Sequence, residues 1–166
     1  ANADVGTLSL TVTATDGGGH TVSDTFDLVV ANSNDAPTVA NALANQGATE
    51  DVAFNWTFAV NAFSDVDAFD TLTYTANGLP AWLSFDAATR SFFGTPSNAD
   101  VGTVAVTVRA TDGAGAFVED SFNLSVANTN DAPTVANAIA NQNATEDTAF
   151  NFQFAANTFA DLDIGD

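Results

Sequence analysis

Cysteine, methionine and lysine are all absent from this 166-residue sequence. Without cysteine there is no disulfide framework, no thiolate zinc site and no thiol nucleophile, so any metal must be held through oxygen. Positive charge is confined to Arg90 and Arg109 against 21 Asp and Glu, a formal net charge of −19. Phosphate binding needs Lys and Arg to displace counterions, so a nucleic-acid partner is excluded and anionic lipid is repelled. No apolar run approaches the ~20 residues of a membrane-spanning helix, which argues against direct membrane insertion, and the N-terminus lacks the basic and apolar regions of a signal peptide. The one histidine, His20, sits in a glycine-rich turn and offers little from which to build acid-base catalysis. Against these absences, 46% of the residues are hydrophobic, enough to bury one full core.

Self-similarity organises the chain. Asn34-Asp35-Ala36-Pro37-Thr38-Val39 returns as Asn130-Asp131-Ala132-Pro133-Thr134-Val135, and Asn2-Ala3-Asp4-Val5-Gly6-Thr7 returns as Asn98-Ala99-Asp100-Val101-Gly102-Thr103. Both shifts are 96 residues, and laying residues 1–70 on 97–166 matches 46 of 70 positions without a gap. A period of this length signals an array of domains. The expected organisation is the end of a preceding repeat at 1–36, one complete repeat at 37–132 and the start of a following repeat at 133–166. Neither flanking piece can bury its own apolar face.

Within a repeat the apolar period is two. Phe54, Trp56 and Phe58 alternate with Ala53, Asn55 and Thr57, and Val118, Phe122, Leu124 and Val126 face away from Glu119, Ser121 and Asn123. Turn signals at 76–80, 94–98 and 111–115 separate these half-buried strands. The pattern predicts an all-β fold of seven antiparallel strands, near 40–46, 52–60, 71–76, 82–86, 91–95, 102–111 and 117–127, in an Ig-like sandwich. An odd number of up-and-down strands puts the two ends of a repeat at opposite poles, so repeats stack head to tail.

Strand parity also sorts the acids. The upper pole of the complete repeat receives Asp35, Asp65, Asp67, Asp70 and Asp112, and the lower pole Glu50, Asp51 and Asp100. At the second junction the lower pole meets the linker oxygens of Asn128, Asn130 and Asp131, then Asp161, Asp163 and Asp166. Carboxylates crowded together without counter-charge resist ionising, so a cation belongs there. Asp-x-Asp-x-x-Asp at 65–70, Asn32-x-Asn34-Asp35 and a Glu at the facing pole suit Ca²⁺, which takes six to eight oxygen ligands in flexible geometry. An EF-hand loop starting at Asp65 does not fit, because its sixth and twelfth positions are Asp70 and Ala76. For any one of these loops alone, Asx side chains bonding their own backbone are the simpler explanation.

Several stretches together resemble a known family: Ala31-Asn32-Ser33-Asn34-Asp35-Ala36-Pro37, Ala48-Thr49-Glu50, Phe63-Ser64-Asp65-Val66-Asp67, Leu79-Pro80-Ala81-Trp82-Leu83, Gly94-Thr95-Pro96 and Ala110-Thr111-Asp112-Gly113. They are similar to the cadherin-like repeats of large bacterial surface and secreted proteins, in the dystroglycan-type or Ig-domain variety. The resemblance spans the whole chain and implies an Ig-like sandwich with calcium between successive domains. It implies that Glu50 is the acid given by the earlier domain, Asn128, Asn130 and Asp131 the linker, and Asp161 and Asp163 the Asp-x-Asp of the later one. Asp112 would serve the junction above it with Asn32, Asn34, Asp35, Asp65 and Asp67. Two departures imply fewer or more weakly held ions per junction. The linker opens with Asn where cadherins carry Asp, and the Asp-Arg-Glu of the fifth-to-sixth loop is absent, with Asp100 its nearest substitute.

The expected function is structural or adhesive and not enzymatic: an extracellular repeat of a bacterial adhesin, sheath or surface filament, stiffened by calcium where repeats meet. Its partners would be neighbouring repeats of the same chain or filament, other adhesin copies and cell-surface glycans. The alternative is a carbohydrate-binding accessory module of a secreted polysaccharide-degrading enzyme. That reading needs exposed aromatic platforms. Trp56, Trp82 and Tyr74 instead fall in strand patterns that predict core, and the more exposed Phe69 and Phe117 have Gly165 and Thr21 as counterparts.

Overall fold

The structure, a computed structural model, describes residues 2–67 and 70–163, so Phe69 and Asp166 lie outside it. The chain is all-β. Two sheets stack between residues 46 and 127. One has four strands in the order β4 (Gln46–Thr49), β11 (Phe117–Ala127), β10 (Gly102–Thr111) and β7 (Thr73–Asn77). The other has three, β5 (Phe54–Thr57), β9 (Ser91–Gly94) and β8 (Leu83–Asp86). Short pairs flank them: β3 (Thr38–Val39) with β6 (Phe63–Ser64), and β12 (Thr134–Val135) with β13 (Phe159–Ala160). At the N-terminus β1 (Gly6–Thr15) and β2 (Thr21–Val30) form a separate hairpin.

The core follows from the alternation. Val106, Val108 and Ala110 of β10 and Phe122, Leu124 and Val126 of β11 point inward and are buried, and Phe92 of the facing sheet is fully enclosed. Phe92 ties the sheets together: its ring lies 5.7 Å from Trp56 and 4.5 Å from Phe85 in its own sheet, and 5.5 Å from Phe122 across the interface. Trp56 also meets Phe122 edge-on at 4.8 Å, Trp82 meets Phe54, and Tyr74 meets Phe58 and Phe63. All three large aromatics therefore pack on the core side, as their alternation predicts.

Gly94 of the Gly94-Thr95-Pro96 stretch meets a close backbone approach. A Cβ there would stand 2.0 Å from the Trp82 carbonyl oxygen, so only glycine lets β8 and β9 approach this closely.

Two details depart from the sequence reading. The first strand, expected at 40–46, is split: residues 40–45 form no strand, Thr38–Val39 pairs with Phe63–Ser64, and Gln46–Thr49 joins the larger sheet. That last pairing is parallel to Leu124–Ala127, not antiparallel. Parallel pairing lets the chain enter the sandwich on one sheet and leave it beside its own last strand, which sends the two ends of the unit to opposite poles.

The hairpin β1–β2 repeats β10–β11 with the same register, Gly6 opposite Val30 as Gly102 is opposite Val126. Its inward-type residues Leu8, Leu10, Val12, Val22, Phe26 and Leu28 are exposed, as are Phe150, Phe152 and Phe154 in the C-terminal piece.

Candidate metal centre

Local geometry carries the acids to the poles. Glu50 follows β4 in a tight turn: its N–H donates to the Ala127 carbonyl at 3.1 Å, and the Asp51 N–H donates to the Pro96 carbonyl at 2.8 Å. Asp51 holds φ at 57°, and Asp147, 96 residues on, does the same. At the other pole Asp112 receives the N–H groups of Ala114 and Ala116 at 2.9 and 2.8 Å, closing the β10–β11 turn. The linker reaches the same pole. The Asn34 amide donates to Asp112 Oδ2 at 3.0 Å, and the Asp35 N–H donates to Asp67 Oδ2 at 2.7 Å. Asp112 is only 5% exposed, and the Asn34 amide together with those turn N–H groups holds its carboxyl below the usual range.

Among the described residues, two carboxylate groups close enough to share a cation result. Glu50, Asp131 and Asp163 each offer an oxygen within 4.8 Å of the others, and so do Asp65, Asp67 and Asp70. Glu50 is 1% exposed. Its Oε1 accepts the Thr129 N–H, while Oε2 is buried with no partner among the described residues. Asp65 repeats the pattern: Oδ1 accepts the Asp67 N–H at 2.9 Å, and Oδ2 is buried with no partner among the described residues. A buried carboxylate oxygen without a donor is costly, and a pair of them beside other acids marks where a cation fits. Burial, then the negative charges of Asp65, Asp112 and Asp67, push the Asp70 carboxyl above its ordinary value. The donors are all oxygen, the set a hard cation such as calcium takes.

The remaining expected ligands are distributed unevenly. Asp161 supports Asp163 by accepting the Asp163 N–H on its Oδ1 at 2.9 Å. The Asn128 amide donates to Asp163 Oδ1 at 3.0 Å, and the Asn130 amide turns to the Asp131 carbonyl at 2.8 Å. Asn32 is exposed in the linker. Asp51 and Asp100 join neither carboxylate group. Asp100 is instead engaged by its own loop, accepting the Ser97 N–H and hydroxyl at 2.9 and 2.7 Å, which hold its carboxyl below the usual range. Asn2 and Asn98, absent from the expected set, reach into the two junctions. The Asn2 amide donates to Asp35 and Asp67, and the Asn98 amide donates to Asp163.

With the fold and the poles defined, comparison with known proteins separates fold from function. The family described as Putative Ig domain matches residues 36–127. The Serine-rich adhesin for platelets of Staphylococcus aureus is 45% identical over 65 residues, 39% of this chain. The chain spans only 3–5% of the length of these curated relatives. Among solved structures, the extracellular cadherin domains 1–4 of protocadherin gamma B7 superpose with a TM-score of 0.60 over 86% of this chain and 37% of theirs, at 21% identity. Human mucin-like protocadherin domains EC1-2 give 0.59 over 77% and 71%, at 16% identity. An endo-fucoidan hydrolase of glycoside hydrolase family 107 gives 0.51 over 77% and 20%, at 24% identity. At these identities the structural likeness carries the fold and nothing more.

Proposed function

The chain belongs to the Putative Ig domain family, and from that premise we propose that it is an adhesive-type extracellular segment whose Ig-like units dock end to end around calcium. The observation that carries this is the pair of buried carboxylate oxygens, Glu50 Oε2 and Asp65 Oδ2, that have no partner among the described residues and are set among other acids at opposite poles of one unit. The 96-residue repeat converts the two poles into one junction. Asp163 is the counterpart of Asp67, so Glu50-Asp131-Asp163 and Asp65-Asp67-Asp70 share that carboxylate when one copy is laid on the other. Each junction would then hold adjoining cation sites: the earlier unit gives Glu50, the linker Asp131, and the later unit its Asp-x-Asp-x-x-Asp, with Asp112 alongside. On this reading 37–132 is the repeating unit, and 1–36 and 133–166 belong to its neighbours. Similarity to a platelet adhesin of a bacterial surface supports an extracellular setting and a role in adhesion.

The mechanism is linkage. An ion shared by two units binds only the docked arrangement, so at about 100 times its dissociation constant each site adds ~2.7 kcal/mol to that arrangement. Extracellular modules bind calcium with constants of ~10⁻⁴ to 10⁻³ M, matched to millimolar calcium outside cells. Calcium removal therefore loosens the rod. Small-angle scattering of the full chain in calcium and in excess chelator tests this; an unchanged maximum dimension and distance distribution would sink it.

A carbohydrate-binding role finds less support. Trp56, Trp82 and Tyr74 are committed to ring contacts inside the sandwich.

A further inference from the structure

Docking around an ion leaves open what holds consecutive units in register when the ion is absent. The loop before β10 contains a one-turn 3-10 helix, Asn98–Asp100, and the loop before β1 contains the same turn at Asn2–Asp4. Both close with the same bond, Val101 N–H to the Asn98 carbonyl and Val5 N–H to the Asn2 carbonyl, each 3.3 Å. In both, the first residue reaches across the junction. The Asn98 amide donates to Asp163 Oδ1 at 3.2 Å, 65 residues away, and the Asn2 amide donates to Asp67 Oδ1 at 3.3 Å, also 65 away, and to Asp35 Oδ2 at 3.0 Å.

We propose that this Asn-Ala-Asp turn is an ion-independent latch between consecutive units, with Asn98 the positioning residue that docks the next unit through Asp163. The proposal rests on the end-to-end reading above, but not on calcium. Asp163 is 8% exposed and lies between Glu50 and Asp131, an unfavourable place for an anion. Three donors offset this: the Asn98 and Asn128 amides on Oδ1 and the Asp131 N–H at 2.8 Å on Oδ2. Two of the three come from the linker, which is attached to the next unit in any case. Only Asn98 comes from the body of the preceding unit, so it alone converts the satisfied carboxylate into a contact between units.

The turn is built to present that amide. Ser97 clamps Asp100 through its N–H and hydroxyl, fixing the loop and leaving Asn98 to face the junction. A carboxylate at position 98 would add a fourth acid to Glu50, Asp131 and Asp163. The neutral amide instead supplies a donor to an anion, and turned over it presents a carbonyl oxygen to a cation. The junction therefore has a docked state at low calcium as well as at high.

The full 166-residue chain carries the test. Its lack of cysteine allows dyes at Ala87→Cys and Ala149→Cys, exposed positions on either side of the second junction, and single-molecule transfer in excess chelator reads docked against undocked populations. Asn98→Ala lowers the docked-to-undocked ratio about tenfold, the effect of losing one hydrogen bond to a charged group, while the melting temperature of the central unit stays put. Asp163→Asn produces the same loss, and the double variant adds nothing further, as expected of two halves of one contact. Unchanged populations for Asn98→Ala in chelator, or fully additive losses, overturn the latch. Asn98→Asp separates the two readings: it loses docking in chelator and regains it in calcium. Docking lost in chelator but not regained refutes the calcium reading and upholds the latch; docking retained in chelator refutes the latch.

Discussion

Glu50→Gln asks whether the buried carboxylate at the lower pole is there for the fold or for an ion. The substitution keeps the shape and the Oε1 that accepts the Thr129 N–H, and exchanges the partnerless Oε2 for an amide donor. In the native chain Glu50 belongs to a group of three carboxylates that each offer an oxygen within 4.8 Å of the others. At that separation each like-charge pair repels by about 3 kcal/mol at an effective dielectric constant near 20. Part of this is relieved by solvent at the half-buried Asp131. Removing one charge and supplying a donor should therefore leave stability in chelator unchanged or raise it by about 1 kcal/mol. Calcium reverses the ranking. With a dissociation constant near 10⁻⁴ M, 10 mM calcium stabilises the native junction by about 2.7 kcal/mol, and a tenfold weaker site in the variant yields only about 1.4 kcal/mol. At 4–8 °C per kcal/mol for a unit of this size, the calcium-induced rise in melting temperature falls from roughly 10–20 °C to about half that. Differential scanning calorimetry of the full chain, in chelator and in 10 mM calcium, reads both terms. A variant that melts lower in chelator yet keeps the full calcium increment would show that Glu50 serves the fold and refute the ion argument.

Two substitutions away from the junctions should behave in the opposite way, with losses independent of calcium. Phe92→Ala removes the fully buried ring that touches Trp56, Phe85 and Phe122, and should cost about 3–5 kcal/mol, a fall in melting temperature on the order of 20 °C in chelator and calcium alike. Gly94→Ala puts a Cβ 2.0 Å from the Trp82 carbonyl oxygen; the strands must part, and a loss of about 3 kcal/mol or more is expected by chemical denaturation, with near-native stability counting against the close approach.

The strands that could be read in the sequence are those whose burial is decided locally. The bounds of β10 and β11 match their expected ranges because apolar residues alternate along most of each strand, broken on β11 only at Asp120, and the later positions of the inward face are buried. The first strand was misplaced for the opposite reason. Residues 40–45 are rich in alanine, which fits either face and therefore specifies no register. What places Gln46–Thr49 is a parallel pairing with Leu124–Ala127, 78 residues away, which no local pattern reveals. Asp100 is legible as an acid of the lower pole, and the structure adds that Ser97 engages it within its own loop. Ser97-x-x-Asp100 carries the spacing of a capping box, and an acid that satisfies its own turn is a poor candidate for a shared site. Asn98 is visible as part of a repeated hexapeptide, but only the fold shows that its amide reaches Asp163, 65 residues on.

The same contrast decides how the acid-rich poles should be understood. If Asp and Asn were present only because they make good turns, each carboxylate would be satisfied by its own loop. Some are: Asp16 accepts the N–H groups of Gly18 and His20, and Asp86 those of Ala88 and the Thr89 hydroxyl, all within four residues. Among the described residues, Asp67 and Asp163 are not. Asp67 takes its donors from Asn2 and the Asp35 N–H, 65 and 32 residues away, and Asp163 takes its donors from Asn98, Asn128 and the Asp131 N–H, 65, 35 and 32 residues away. Turn chemistry has no use for such reach, because a turn closes within a few residues. The two acids keep matching separations because they sit one 96-residue period apart, so the bonds belong to the periodic arrangement and not to either loop. Asp112 stands between the two kinds, closing its own turn with one oxygen and receiving Asn34 from the linker with the other. It follows that Asp86→Ala should change only the stability of its own hairpin, whereas Asp163→Ala should change how two units sit against each other.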